Sequence, residues 1–503
     1  MKKYLVIFIF IIINSITAES VGENASNRIR QDLSSHSRTN IKSDIYRDEE
    51  ELISFIESTM ATHLIPGLSI SVVKDENIVW ERYFGYSNIE NETAVNESTM
   101  FILSSVSKTV TATALMQLFE DGLFSLDDNI NSYLPFNVNH PDYPLTPITF
   151  KMLLSHTSGI KDQWGVMPYY DGDSVLELGY YLEQYLTPQG EFYSANGCFS
   201  DSQPGANYIY SNNGAALIGY LVERLSNQPF NEYCNENIFE PLNMNNAAWL
   251  LSEIDDLNQI AMPYQLSAGS GDTCYEIGCG IYDQSNPCFC DSECVYYDDC
   301  CSDYNEVCGE DGSGSSGIQL SPLYHYGYSD YPSGQLRTTS NNLGKFVSAY
   351  INDGVYNGTR ILEEETIELI KTVQYPNINS QQGLIWYYKN GNAQTLFGHN
   401  GGDLGSLTEM FISYLNNIGV VVLSNSSNYN AIIQIENAVF EFAEQTSFIV
   451  SGDVNQDSTV NIQDIILTVN MILTNQYSNE ADLNSDNAVD VLDVIQLVNI
   501  ILN

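Results

Sequence analysis

The sequence predicts a mixed α/β (α+β) fold: an antiparallel β-sheet flanked by helices, joined to a mainly helical lobe and carrying two small appended modules. Three observations carry this. Strand-like runs occur near the start, 68–74 and 77–84, and return only late, at 384–388, 395–398, 407–414 and 418–425. Helix-like patterns and loops dominate between them, to about residue 243. Helical patterns at 48–62 and 430–444 bracket the whole, so sequence-distant strands complete one sheet, helices cover it, and a cleft lies between sheet and lobe.

The elements follow in order. Residues 1–18 combine Lys2 and Lys3 with an apolar run from Tyr4 to Ile13 and small or polar residues to Ala18, the pattern of a signal peptide. Residues 19–44 read as a flexible leader, and 45–447 as the main domain. Asp75-Glu76 joins the first two strands as a hairpin turn. Next comes an apolar pattern through Val110, Leu115, Leu118 and Phe119, with Ser104 as expected N-cap and Asp121-Gly122 as its end.

Ser105 and Lys108 stand three residues apart at the start of this helix, on one face. Serine needs a base to become a nucleophile, and lysine serves only if its pKa falls from about 10.4. Burial and the positive end of a helix dipole both favour that change. Ser-x-x-Lys is a weak motif alone: it also occurs at Ser71/Lys74 and Ser158/Lys161. Ser71 and Lys74 fall in a strand, where i and i+3 face opposite ways, and Ser158-Gly159 is a turn. Two later stretches supply partners. Pro204 to Gly214 offers the phenol of Tyr210 and the amide of Asn212, and Phe397-Gly-His-Asn-Gly-Gly402 offers His399 at a strand end beside Gly401 and Gly402.

With these motifs in order, Ser105-Val-Ser-Lys108, Tyr210-Ser-Asn212 and His399-Asn-Gly401, the chain resembles the serine beta-lactamase and penicillin-binding protein superfamily, in its class C and DD-peptidase/esterase branch. Pro66-Gly67, Leu154 to Ile160, Pro241 to Met244, Ser333 to Thr339 and Gly383 to Trp386 resemble family landmarks. The resemblance implies Ser105 as acylated nucleophile, Lys108 as base and Tyr210 as proton shuttle. Which of Lys108 and Tyr210 holds the shared proton stays open. It implies Asn212, His399 and Gly401 as substrate-binding residues, and the N–H groups of Ser105 and Gly402 as an oxyanion hole. Histidine at 399 departs from the lysine of typical beta-lactamases and attracts a carboxylate less strongly. His156, in the 154–160 turn, reads as structural.

A net charge of −46, from 64 acidic and 18 basic residues, argues against nucleic acid and anionic membranes as partners. No segment in the mature chain reads as a membrane span. Ten cysteines in an exported chain point to disulfides. Eight are concentrated at Cys274, Cys279, Cys288, Cys290, Cys294, Cys300, Cys301 and Cys308, so 271–312 is similar to a somatomedin B domain; the lack of histidine favours disulfides over zinc. Cys198 and Cys234 remain, and whether they pair is left open by the sequence.

Residues 450–503 contain an internal duplication. Asp453, Asn455, Asp457, Asn461 and Asp464 recur as Asp482, Asn484, Asp486, Asp490 and Asp493, each loop followed by an apolar helix. Oxygen ligands at loop positions 1, 3, 5, 9 and 12 describe a calcium site. The repeats lack the loop glycine at position 6 and resemble a dockerin, which implies structural calcium and a cohesin-like or cell-surface partner. The reading is a secreted or cell-surface serine hydrolase of a peptide, amide or ester, DD-carboxypeptidase-like or esterase-like, with no catalytic cofactor. The alternatives are a beta-lactamase and a non-catalytic extracellular binding or scaffold protein.

Overall fold

The computed structural model describes residues 49–267, 300–301, 319–391, 394–446, 452–455, 460–478, 480–484, 486 and 488–502. In chain order, helix α1 (Glu49–Thr62) leads into strands β1 (Gly67–Lys74), β2 (Asn77–Asn88) and β3 (Thr93–Ala94). Helix α2 (Ser107–Glu120) begins the lobe, in which α3 (Asn212–Ser226) is central, and α4 (Ser340–Ile351) leads back to the sheet. Strands β4 (Tyr387–Gly391), β5 (Gln394–Asp403), β6 (Ser406–Ser413) and β7 (Ile418–Ser424) complete it, and α5 (Tyr429–Gln445) closes the domain. Helices α6 (Ile462–Thr474) and α7 (Val491–Leu502) follow the two acidic loops.

The sheet order is β4-β5-β6-β7-β1-β2-β3, with every neighbouring pair antiparallel. β1 pairs along both edges with β7 and β2, and it is buried on both faces because its alternating residues pack against two different layers. Leu68, Ile70 and Val72 join the core formed with α1 and α5. Ser69 and Ser71 face α4, where the Ser69 hydroxyl donates to Ser340 Oγ at 2.7 Å. Along α5, Ile432, Ile435, Val439 and Phe442 recur every three or four residues and bury one stripe against the sheet. The opposite face meets the larger core of α2, α3 and α4.

Lys389 on β4 ties the sheet to α5 by a buried charge cluster. Its ammonium lies 2.9 Å from Glu409 on β6 and 2.7 Å from Glu436 on α5, whose carboxylates are both 1% exposed. Burial pushes the Glu409 carboxyl up, to about 8, while Lys389 opposes that rise.

Several expectations shift. The strand expected at 384–388 begins at Tyr387, because Leu384, Ile385 and Trp386 form a fully buried turn with Ile385 at φ +65°. The Ile385 N–H donates out of the sheet to Leu154 O in the lobe. Ser104 is not a side-chain N-cap: it opens a 3-10 turn, Ser104–Val106, at φ +49°, and the α-helix starts only at Ser107. Cys198 and Cys234 are separate buried thiols rather than a bridge.

The expected signal peptide, the leader and nearly all of the cysteine-rich insert lie outside the described residues. So do Cys274, Cys279, Cys288, Cys290, Cys294 and Cys308; Cys300 and Cys301 are disulfide-bonded. The insert's stem is the pairing of Tyr264–Ser267 with Gln319–Pro322. It packs on the β5–β6 turn, where a Cβ on Gly405 would come within 2.5 Å of Tyr264 N. Among the described residues, no helix is long and apolar enough to cross a membrane.

Candidate active site

The 3-10 turn presents the Ser105 hydroxyl to two side chains from different parts of the lobe. Lys108 Nζ donates to Ser105 Oγ at 3.0 Å, and Tyr210 OH donates to it at 2.8 Å. Lys108 is fully buried on the first turn of α2, and its ammonium nitrogen sits 5.1 Å from the centre of the Tyr210 ring. A second acceptor, Ser333 O, takes a bond from Lys108 at 2.5 Å. The amine is thus held between the serine hydroxyl and a backbone carbonyl.

That carbonyl is itself fixed by a carboxylate the sequence did not single out. Ser333 Oγ donates to Asp330 Oδ2 at 2.9 Å, and Ser333 N donates to Asp330 O at 2.9 Å. Asp330 is 3% exposed. Burial, then the Asp162 carboxylate, pushes its carboxyl up to about 7.

Asp162 organises the loop that carries Tyr210 and Asn212. It accepts from Ser211 Oγ at 3.0 Å and from the backbone N–H groups of Asn212 and Asn213 at 2.9 and 3.1 Å, at the start of α3. A carboxylate there satisfies otherwise unpaired helix donors. His156 supports the same loop from behind: its ring lies 4.5 Å from that of Tyr210, and its carbonyl accepts from Ile209 N at 2.7 Å. The structural reading of His156 fits these contacts. Neither Asp162 nor Asp330 carries a sequence signal, since each reaches the site through a loop far from Ser105 in the chain.

Strand β5 forms the facing wall. A Cβ on Gly401 would fall 2.4 Å from Leu103 O and 2.9 Å from Ser105 N, so only glycine lets the strand lie this close to the nucleophile's backbone. Gly402, the next residue, is exposed. His399 is 3% exposed, and its ring centre lies 6.4 Å from that of Tyr210. Burial, then the Lys108 charge, lowers its pKa to about 3, so the imidazole is neutral at ordinary pH. Beyond the glycines, Asp403 accepts from Tyr169 OH at 2.7 Å. Burial raises its carboxyl while this bond opposes the rise.

The acidic loops fit a calcium-binding role in their chemistry. Asp453, Asp464, Asp482 and Asp493 are each at most 7% exposed, and the sequence from 452 to 503 contains no Lys, Arg or His to balance them. Asp464 accepts from the N–H groups of Val454, Asn455 and Asn461, and Asp493 from those of Leu483, Asn484 and Asp490. Among the described residues, no three acidic, His or Cys side chains already converge on one point. Asp457 lies outside them. The ninth loop residues serve as helix caps: Asn461 Oδ1 accepts from Gln463 N and Asp490 Oδ1 from Leu492 N.

Comparison with known proteins agrees with this architecture. The Beta-lactamase family model matches residues 52–438, and the Dockerin type I domain model matches 451–502. The chain is 25% identical over 202 residues to Protein flp of Staphylococcus aureus (strain MRSA252), covering 40% of this chain and 38% of that one. It is 25% identical over 197 residues to Penicillin-binding protein 4* of Bacillus subtilis (strain 168), covering 39% and 40%. The chain therefore spans less than half the length of these relatives. The D-amino acid amidase of Ochrobactrum anthropi SV3, solved with D-phenylalanine, shares the fold at a TM-score of 0.56 and 19% identity, over 78% of this chain and 98% of that one.

Proposed function

The chain belongs to the beta-lactamase family, and we propose that it hydrolyses an amide, peptide or ester through an acyl-Ser105 intermediate. One observation carries the reading: Ser105 Oγ is within hydrogen-bond reach of both Lys108 Nζ and Tyr210 OH. Ser105 attacks the substrate carbonyl as the Lys108–Tyr210 pair takes its proton. The oxyanion of the tetrahedral intermediate is held by the N–H groups of Ser105 and Gly402. As the carbonyl re-forms, the leaving amine or alcohol takes a proton through Tyr210. Water then attacks the acyl-serine with the same pair as base, returning the free enzyme. Asn212 orients the substrate amide, and His399 and Gly401 line the far wall.

A beta-lactamase role ranks lower, because a neutral, buried His399 offers no cation to the carboxylate that such substrates carry. The test is hydrolysis of a chromogenic ester and of D-amino acid amides by wild type and Ser105→Ala. Loss of turnover with unchanged thermal unfolding is the expected result; retained turnover would exclude Ser105.

For residues 452–502 we infer calcium held by Asp453, Asn455, Asp457, Asn461 and Asp464, and by Asp482, Asn484, Asp486, Asp490 and Asp493. Asn461 and Asp490 cap the following helices. Dockerin type I domains bind calcium and cohesins. The exposed Ile462, Val491 and Leu492, which are 66%, 62% and 55% accessible, give this unit an apolar surface suited to docking on a cohesin-like partner. Such a domain implies an extracellular or cell-surface location.

A further inference from the structure

We propose that His399 makes the β5 wall of the site a hydrogen-bond acceptor, so that the substrate presents an N–H or O–H group to it and not a carboxylate. The proposal rests on the acyl-serine reading above and specifies its substrate class: a carboxamide, ammonium or hydroxyl along β5.

The tautomer of His399 decides what its ring offers a substrate. Its Nδ1 lies 2.5 Å from Asn400 O. A carbonyl oxygen only accepts, so the Nδ1 nitrogen carries the proton and donates it there. The Asn400 backbone is held in the β5–β6 ladder opposite Glu409, and its side chain is anchored at both ends. Tyr387 OH donates to its Oδ1 at 2.8 Å, and its Nδ2 donates to Tyr429 OH at 3.1 Å. Tyr387 also meets the His399 ring edge-on, with centres 5.3 Å apart and planes at 81°. Ring and tautomer are therefore fixed together by β4, β5 and α5.

With Nδ1 protonated and the imidazole neutral, Nε2 has only a lone pair to offer. No described residue donates to it. The surrounding charge points the same way. Lys108 already interacts with both Asp330 and Asp403, two buried carboxyls beside the site, and His399 adds no positive charge to them. A substrate carboxylate placed against Nε2 would meet a lone pair with no proton between them. A carboxamide or ammonium would instead donate a hydrogen bond.

Protection of Ser105 tests this without requiring turnover. The full chain is labelled by p-nitrophenyl acetate, and the acetyl adduct is followed by intact mass. Three capped D-amino acid dipeptides compete, identical except for a terminal carboxamide, N,N-dimethylamide or carboxylate. The carboxamide is expected to halve the labelling rate at a concentration roughly tenfold lower than either of the others. In His399→Lys the order is expected to change in favour of the carboxylate. A carboxamide no better than the other two, or a carboxylate that protects best in the wild type, overturns the proposal. Failure of Ser105 to label without competitor is a different result: it overturns the acyl-serine reading itself.

Discussion

At the scale of single residues, the proposed site divides into side chains gathered around Ser105 and buried carboxylates that hold their backbone in place. Ser105, Lys108, Tyr210 and His399 could be proposed from the sequence because only one Ser-x-x-Lys could start a helix, and the structure brings these four side chains together. Asp162 and Asp330 could not be proposed, since nothing in local spacing shows that a distant loop delivers a carboxylate behind a helix. For the first group, Tyr210→Phe is expected to lower kcat by about 10²- to 10⁴-fold with little change in folding, measured on a chromogenic ester. For the second, Asp330 gives a stability effect with a definite sign. Its folded-state pKa of about 7 is raised above the ordinary value of 3.8. Between those limits the native protein binds more protons than the unfolded chain, so this residue's contribution to stability falls as pH rises from about 4 to about 7. Asp330→Asn removes the titration. Relative to wild type, the variant is expected to gain roughly 2–4 kcal/mol between pH 4 and pH 8, read from urea midpoints at both ends. A difference that stays constant with pH would place the raised carboxyl elsewhere.

At the scale of elements, the hairpin β1–β2, the strands β6 and β7 and the helices α1 and α5 stand close to their expected bounds, because alternation and helical periodicity were both clear. Two local features escaped. The apolar run at 384–386 reads as strand but is buried as a turn, and burial alone cannot separate the two. The start of α2 is preceded by a 3-10 turn that packs against β5, a tertiary contact with no local signature. Gly401→Ala tests that contact. Its Cβ would meet Leu103 O at 2.4 Å, so β5 or the Ser105 turn must move. Ser105 acetylation is expected to slow by more than about tenfold, while secondary structure measured by circular dichroism persists. The Lys389 cluster joins β4, β6 and α5 in a different way. Lys389→Met leaves Glu409 and Glu436 buried without their cation, and a loss of about 3–5 kcal/mol in denaturant unfolding is expected.

For the whole molecule, the cysteine density at 274–308 and the duplicated Asp/Asn pattern at 453–493 stand out from their surroundings in composition, and the dockerin type I match at 451–502 falls on the duplication. The sequence left the pairing of Cys198 and Cys234 open, and the structure keeps both as buried thiols. The two proposed roles should be separable. Chelation of calcium is expected to abolish the cooperative unfolding of residues 452–502 while the main thermal transition and Ser105 labelling persist. Loss of both together would mean that the loops support the catalytic domain directly. The central claim is that one serine, held by Lys108 and Tyr210, becomes acylated. Peptide mapping after brief exposure to p-nitrophenyl acetate tests it most directly. A single adduct on Ser105, absent from Ser105→Ala and formed more slowly in Tyr210→Phe, is the expected result. An adduct on another residue, or ester turnover that survives Ser105→Ala, would contradict the account.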